Sequence, residues 1–154
     1  MAIGGSGLFG LTVEKMLLTT GPDLNAEDHR STIFTDALTP AYDTQDFWND
    51  ISASEITGTG YTGDGIAMVG TVLTVASPAA GQIRFDITTD PAWASSTLVS
   101  AMALVGADKV GTPAMGTDDM LIFLSDFVTA VSTTSGTLTV QIHANGVFYV
   151  DYVA

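Results

Sequence analysis

The sequence predicts an all-β protein, an antiparallel β-sandwich of about seven strands with an N-terminal arm and a long acidic loop. Apolar and polar residues alternate in GQIRFDIT and in TLTVQIHA, as they do in strands that bury one face. After Ile66, turn signals rich in Gly and Pro recur every ~8–12 residues, a spacing typical of antiparallel sandwiches. The chain has 154 residues, the length of one domain with a single core.

The sequence divides into an arm and one domain. Residues 1–10, MAIGGSGLFG, predict a flexible or partner-ordered arm, because a glycine-rich segment does not fold alone. Residues 11–154 are the predicted β-sandwich domain. This domain begins with a predicted strand over 11–20, LTVEKMLLTT, and continues with a loop region over 21–65 that is rich in carboxylates.

The remaining sequence predicts strands over residues 66–77, 81–88, 97–107, 119–127, 137–144 and 146–153. Asn145-Gly146 is a strong two-residue turn signal, so the last two strands are expected to form a closing hairpin. The side chains expected to be largely buried are apolar positions of these strands, namely Ile83, Phe85, Ile87, Leu104, Leu121, Phe123, Leu138, Val140 and Ile142.

The charge of the chain and the residue types that it lacks exclude several functions. Four Lys and Arg residues stand against seventeen Asp and Glu residues, which gives a formal net charge of −13. Because nucleic-acid binding draws its affinity from basic side chains, no nucleic-acid partner is expected. The chain has no cysteine, which removes disulfides, thiolate metal sites and cysteine nucleophiles. No apolar run reaches the ~18 residues that span a bilayer, so no membrane partner is expected.

The segment Gly58-Thr-Gly-Tyr-Thr-Gly63 has the G-x-G-x-x-G spacing of dinucleotide-binding loops. That motif holds a phosphate only where a buried strand enters it and a helix leaves it. Here Glu55-Ile56 is too short and too polar for such a strand, and the following IAMVGTVLTV predicts a strand instead of a helix. The sequence therefore predicts a glycine-rich loop with positive φ at Gly60 and Gly63, and no nucleotide or other cofactor.

Other polar groups resemble sites but lack the necessary companions. Asp118, Asp119 and Asp126 offer oxygen ligands without the spacing of a calcium loop, so a solvated turn is expected. His29 follows two acidic residues, yet no nucleophile motif accompanies it, and a surface histidine is expected. Trp93 is interpreted as a core aromatic that anchors a turn. The sequence thus predicts no metal site and no enzyme activity.

Four segments, taken in order, resemble a family of small β-rich structural virion proteins of tailed bacteriophages. They are EITGTGYTGDG, DPAWASSTL, LIFLSDF and GTLTVQIHANGVFYV, and the resemblance spans roughly residues 13–153. The most similar members look like capsid decoration, or cement, proteins. The resemblance implies a non-enzymatic protein that is made in the bacterial host cytoplasm and binds the outer capsid surface of the virion. The implied partners are the phage major capsid protein and further copies of the chain, with a trimer favoured.

Two other functions fit the same β-rich chain. A phage tail or neck component needs the same kind of adhesive β-domain. A carbohydrate-binding β-sandwich module needs exposed aromatic side chains on one rim, for which Tyr42, Trp48 and Tyr61 are the candidates.

Partner-binding residues are predicted in the arm and in the acidic loop. The arm is glycine-rich but also carries isolated apolar side chains. Because burial of these side chains is favourable, the arm is expected to order against a neighbouring subunit. The loop aromatics Phe47 and Trp48 either plug the open end of the sandwich or face a partner. If the affinity for the partner does not change with salt concentration, the predicted contact is an apolar face of a sheet instead of the acidic loop. The predicted anchors are Ile3, Leu8, Phe9, Phe34, Phe47 and Trp48.

Overall fold

The structure is a computed structural model that describes residues 3–26, 28–109 and 115–152. Within these residues the chain forms one α-helix and eight strands. In chain order they are β1 (Gly7–Leu8), α1 (Gly10–Leu17), β2 (Arg30–Thr35), β3 (Ile66–Ala67), β4 (Thr71–Val75), β5 (Gln82–Ile87), β6 (Ala92–Ala107), β7 (Leu121–Thr139) and β8 (Phe148–Asp151). Two short 3₁₀ turns, Trp48–Asp50 and Ser52–Ser54, lie in the loop between β2 and β3.

The strands form two antiparallel sheets. The larger sheet has five strands in the order β1-β7-β6-β2-β3, and the smaller has three in the order β4-β5-β8. This arrangement confirms the predicted all-β sandwich, with eight strands in the described residues where about seven were expected. The predicted loop over 21–65 is wrong at Arg30–Thr35, which forms β2 inside the larger sheet. The long β6–β7 pair is the centre of the larger sheet.

The larger sheet is buried on both faces only where residues 101–107 of β6 lie beside β2 and residues 121–124 of β7, and the rest of β7 is mostly exposed. Its inner face, with Ile33 and Leu104, packs against the smaller sheet around Phe85. Its outer face, with Phe34, packs against the loop between β2 and β3, where Trp48 is buried. Burial on both faces explains why β6 and β7 contain continuous apolar runs rather than alternating patterns.

The predicted core is largely confirmed. Ile83, Val140 and Ile142 are only half-buried, because they lie at the margin of the core between the sheets. The other six predicted core residues are at most 5% exposed: Phe85, Ile87, Leu104, Leu121, Phe123 and Leu138.

The N-terminal segment belongs to the domain, which corrects the predicted partner-ordered arm over residues 1–10. Strand β1 pairs with β7, and the Phe9 N–H donates to the carbonyl of Ile122 (3.1 Å). Ile3 and Phe9 are buried in the outer core cluster. The apolar side chains therefore order the segment on its own chain, and residues 1 and 2 lie outside the described range.

Residues 11–20 form no strand, contrary to the prediction. Gly10–Leu17 is an α-helix, and its last turn carries Lys15, which suits the negative end of the helix dipole. Val13, Met16 and Leu17 have the i, i+3, i+4 spacing of one helical face. In so short a segment this spacing was mistaken for a strand.

The predicted closing hairpin over 137–144 and 146–153 is also wrong. Leu138 pairs with Trp93 of β6, and β7 ends at Thr139. Strand β8 instead pairs with β5, where Phe148 lies opposite Phe85. Asn145-Gly146 does form a turn, but the segments on either side of it join different sheets because each finds a longer partner elsewhere.

Candidate protein-contact surface

An apolar groove of about 320 Å³ lies between α1 and the smaller sheet. All the residues that line it are apolar, and none of them titrates. They are Leu8, Val13, Met16, Leu17, Leu24, Leu73, Ile83, Phe148 and Val150.

The register of the smaller sheet builds one wall of the groove. Leu73 of β4 and Phe148 of β8 both lie opposite Phe85 of β5. Two residues along, Val75 and Val150 both lie opposite Ile83, which places them on the same face of the sheet. In the first row Phe85 is fully buried but Leu73 is 39% exposed, and in the second row Val75 and Val150 are 65% and 48% exposed, so this face opens towards the second row.

Helix α1 builds the opposite wall. Its stripe of Val13, Met16 and Leu17 faces the smaller sheet across the groove, with Val13 and Met16 half-buried and Leu17 exposed. Leu17 is 80% exposed and Val150 is 48% exposed, although both are large apolar side chains. Exposed apolar surface gathered into one concavity is typical of a contact with another protein.

Three charged groups near the helix are paired within the chain. Nζ of Lys15 donates to Oδ2 of Asp46 (2.5 Å) and lies 4.2 Å from the centre of the Phe47 ring. Oδ2 of Asp50 accepts from the backbone N–H groups of Asp46 and Phe47. These two carboxylates thus hold the loop on its own chain, which weakens the prediction of an acidic contact.

The predicted partner-binding residues differ in how far their side chains are buried. Ile3, Phe9, Phe34 and Trp48 are each at most 4% exposed, so their side chains cannot anchor a partner. Trp48 neither faces a partner nor plugs the open end of the sandwich: its ring covers the outer face of the larger sheet and packs edge-on against Phe34, with centroids 5.5 Å apart. Leu8 is half-buried and lines the groove.

Phe47 is half-buried beneath the Lys15 ammonium group, and its contact with a partner stays a prediction. The main surface that sequence reasoning missed is the groove itself. Its signal was present in the helical spacing of Val13, Met16 and Leu17, once that segment is recognised as a helix.

The glycine-rich loop has no phosphate site. It is followed by β3, so no helix N-terminus faces it. Gly60 has φ of +76°, as predicted, whereas Gly63 has no positive φ and that prediction is wrong. Within the loop, the Tyr61 hydroxyl donates to Oε1 of Glu55 (2.6 Å) and accepts from the Ile33 N–H (3.0 Å).

The Tyr61–Glu55 pair has a structural role. The Tyr61 hydroxyl oxygen accepts the hydrogen bond that the Ile33 N–H would otherwise donate to a longer β3, because β3 pairs only with Arg30 and Ser31. Burial, followed by the bond to Glu55, raises the pKa of Tyr61 far above its usual range. Burial also raises the pKa of Glu55, although the hydrogen bond from Tyr61 partly offsets this effect.

The aromatic candidates for carbohydrate binding do not form an exposed rim. Trp48 is buried, and Tyr61 stacks on Trp93 with centroids 5.9 Å apart. Tyr42 packs against Phe9 and donates its hydroxyl hydrogen to the Gly5 carbonyl (2.6 Å). These rings therefore stabilise the fold and leave little open face for stacking on a sugar.

The remaining sequence candidates also take structural positions. Asp119 is buried and its Oδ2 accepts from the Gly116 N–H, whereas Asp118 is exposed. Trp93 is buried, in agreement with its interpretation as a core aromatic. His29 is fully buried, so the prediction of a surface histidine is wrong; its ring is held between the chain before β2 and the end of β6.

Comparison of the chain with protein-family models, with curated proteins and with solved structures finds no significant match. Over the described ranges, no helix has the length and apolar character needed to cross a membrane.

Proposed function

We propose that this chain is a non-enzymatic structural virion protein that binds the outside of a phage capsid and stabilises it. The observation that carries the proposal is the open apolar groove between α1 and the smaller sheet, on a protein that is otherwise strongly acidic. The order of sequence segments that resemble decoration proteins supports the choice of a capsid as the partner.

The groove supplies adhesion without chemistry. Apolar side chains of the major capsid protein enter the concavity and cover the second row of sheet residues, chiefly Ile83 and Val150. Burial of each large apolar side chain contributes about 1.5–3 kcal/mol, and such contacts must be broken before neighbouring capsid subunits can separate. The excess of carboxylates on the rest of the surface keeps decorated particles apart in solution.

Binding to capsids that lack the protein tests the proposal. Leu17→Asp places a charge in the groove without entering the core, because Leu17 is 80% exposed. We expect its affinity to fall about 10-fold to 100-fold, the equivalent of one buried leucine. Val99→Asp is the matched control, since Val99 is 68% exposed, lies outside the groove and receives the same charge.

Salt distinguishes the groove from the acidic loop. An apolar contact keeps its affinity when the salt concentration rises, whereas contact through carboxylates weakens.

If Leu17→Asp and Val99→Asp lose binding equally, or if neither loses binding, the groove is not the adhesive surface.

A tail or neck position is the second candidate, because the same groove would serve there. Quantitative gel densitometry of purified virions separates the two. A copy number matching the capsid subunits supports the shell, and a copy number matching a single ring supports the neck or tail.

A further inference from the structure

Three titratable side chains meet at the end of the larger sheet where β2 begins and β6 ends. Arg30 of β2 pairs with Ala107 of β6, so the residues just outside this pair, His29 and Asp108, face each other. His29 Nδ1 lies 3.0 Å from Oδ1 of Asp108 and 3.9 Å from Oδ1 of Asp28. One donor atom from each of the three side chains lies within 4.8 Å of the other two.

The hydrogen bond at the far side of the imidazole fixes its tautomer. His29 Nε2 lies 2.9 Å from the backbone carbonyl oxygen of Asp23. A carbonyl oxygen only accepts, so Nε2 carries the hydrogen and donates it. In the neutral ring, Nδ1 then has a free lone pair, and the nearest carboxylate oxygens of Asp108 and Asp28 lie 3.0 Å and 3.9 Å from this atom.

The Nδ1 atom of His29 is buried and has no hydrogen-bond partner, although Asp108 is only 3.0 Å away. The carboxylate oxygen lies close to Nδ1 but outside the direction in which a ring N–H would donate. Two ligands of one ion have this relation, because each points at the ion and neither points at the other. Ligand atoms about 2.1 Å from a common ion and ~90–110° apart are separated by ~3.0–3.4 Å.

We propose that Asp28, His29 and Asp108 bind one divalent transition-metal ion, with Zn²⁺ as the expected occupant. One imidazole nitrogen and two carboxylate oxygens form a donor set that suits Zn²⁺. Mg²⁺ and Ca²⁺ prefer sets made of oxygen atoms alone and bind less well here. The Asp28 side chain is 58% exposed, which leaves the site open to solvent for a water ligand.

The ion would cross-link two segments of the chain, and its proposed site shares no residue with the apolar groove. It joins the chain before β2 to the end of β6, two segments held at this point by the Arg30–Ala107 pairing. It also offsets the repulsion between Asp28 and Asp108 in a chain whose formal charge is −13. Binding of Zn²⁺ therefore stabilises the folded state through linkage.

The test uses the full-length, untagged protein after removal of metals with a chelator. Titration calorimetry with Zn²⁺ alone measures affinity and stoichiometry, and Mg²⁺ is titrated in parallel. We expect one Zn²⁺ per chain, and a melting temperature about 5–10 °C higher in a hundredfold excess over Kd. Asp28→Asn removes an exposed ligand without disturbing the core, and it is expected to weaken Zn²⁺ binding at least ~10-fold.

His143→Gln is the matched control, because His143 is the other histidine of the chain and is exposed. Its Zn²⁺ affinity is expected to equal that of the parent protein. Two results would overturn the proposal. The first is that the parent protein binds no Zn²⁺ and that NMR shows the His29 ring protonated on both nitrogens. His29 would then form an ion pair with Asp108 instead of a metal site. The second is that Zn²⁺ binding survives in Asp28→Asn and disappears in His143→Gln. The Zn²⁺ would then be bound adventitiously at the surface.

Discussion

Replacement of Phe85 by alanine tests the core between the two sheets. Phe85 has no exposed surface and lies in the central strand of the smaller sheet, between Leu73 and Phe148 in register. Its ring centroid lies 5.2 Å from that of Phe148 and 6.4 Å from that of Phe123. The substitution therefore removes a buried side chain and its contacts with two phenylalanine rings.

The expected loss in the free energy of unfolding is about 3–5 kcal/mol, the range for a buried phenylalanine that leaves a cavity. The two ring contacts place the value in the upper half of that range. For a chain of this length, the melting temperature should fall by about 6–20 °C. Urea unfolding can be followed by tryptophan fluorescence, because both Trp48 and Trp93 are buried and become exposed on unfolding.

Tyr149→Ala is the control for this experiment. Tyr149 lies next to Phe148 on β8, is 48% exposed and points to the opposite face of the sheet. We expect it to lose less than about 1 kcal/mol. A loss below about 1 kcal/mol for Phe85→Ala, or equal losses for the two variants, would refute the assignment of the inner face.

Two further predictions concern the glycine-rich loop and its neighbours. Gly60→Ala should cost about 2–4 kcal/mol, because φ is +76° and the added Cβ would lie 2.8 Å from the Ser95 carbonyl oxygen. Gly63→Ala should change stability by less than about 1 kcal/mol, since its Cβ would meet nothing closer than 3.9 Å, and similar urea midpoints for the two variants would contradict this account. Glu55→Gln should gain stability over the parent protein as the pH rises above the ordinary carboxyl pKa of 4.5, because the raised pKa of Glu55 makes its ionisation unfavourable in the folded state. Urea unfolding of both proteins at about pH 4 and about pH 7 checks the sign, and a pH-independent difference would argue against it.

The pattern of apolar and polar residues predicts strands well where the pattern is determined by burial alone. Ile83, Phe85 and Ile87 alternate with polar residues because β5 has one buried face, whereas the apolar runs of β6 and β7 reflect burial on two faces. It failed where two local structures had similar propensities. Residues 11–17 have enough apolar residues for a strand, and the helix is selected by packing of one face of α1 on the domain, which buries Thr12 and half-buries Met16 against the core between the sheets.

Long-range pairing was the other source of error. Asn145-Gly146 makes a turn as its local chemistry demands, yet β8 pairs with β5 rather than with the chain that precedes the turn. His29 and Asp108 are brought together by the register of β2 against β6, which no local pattern reveals. The glycine-rich composition at the N-terminus likewise concealed that Phe9 is a core residue.

The two outermost strands of the larger sheet, Gly7–Leu8 and Ile66–Ala67, are only two residues long. Each leaves little of its own backbone unpaired. Strand β1 covers β7 only at Phe123 and Leu124, so the outer edge of β7 beyond Leu124 has no partner among the described strands. Positive φ at Val128 and Ser135 interrupts the extended backbone along that edge, which opposes the addition of a strand from a neighbouring copy. Association is then better served by side-chain surfaces, whose partners can be specified.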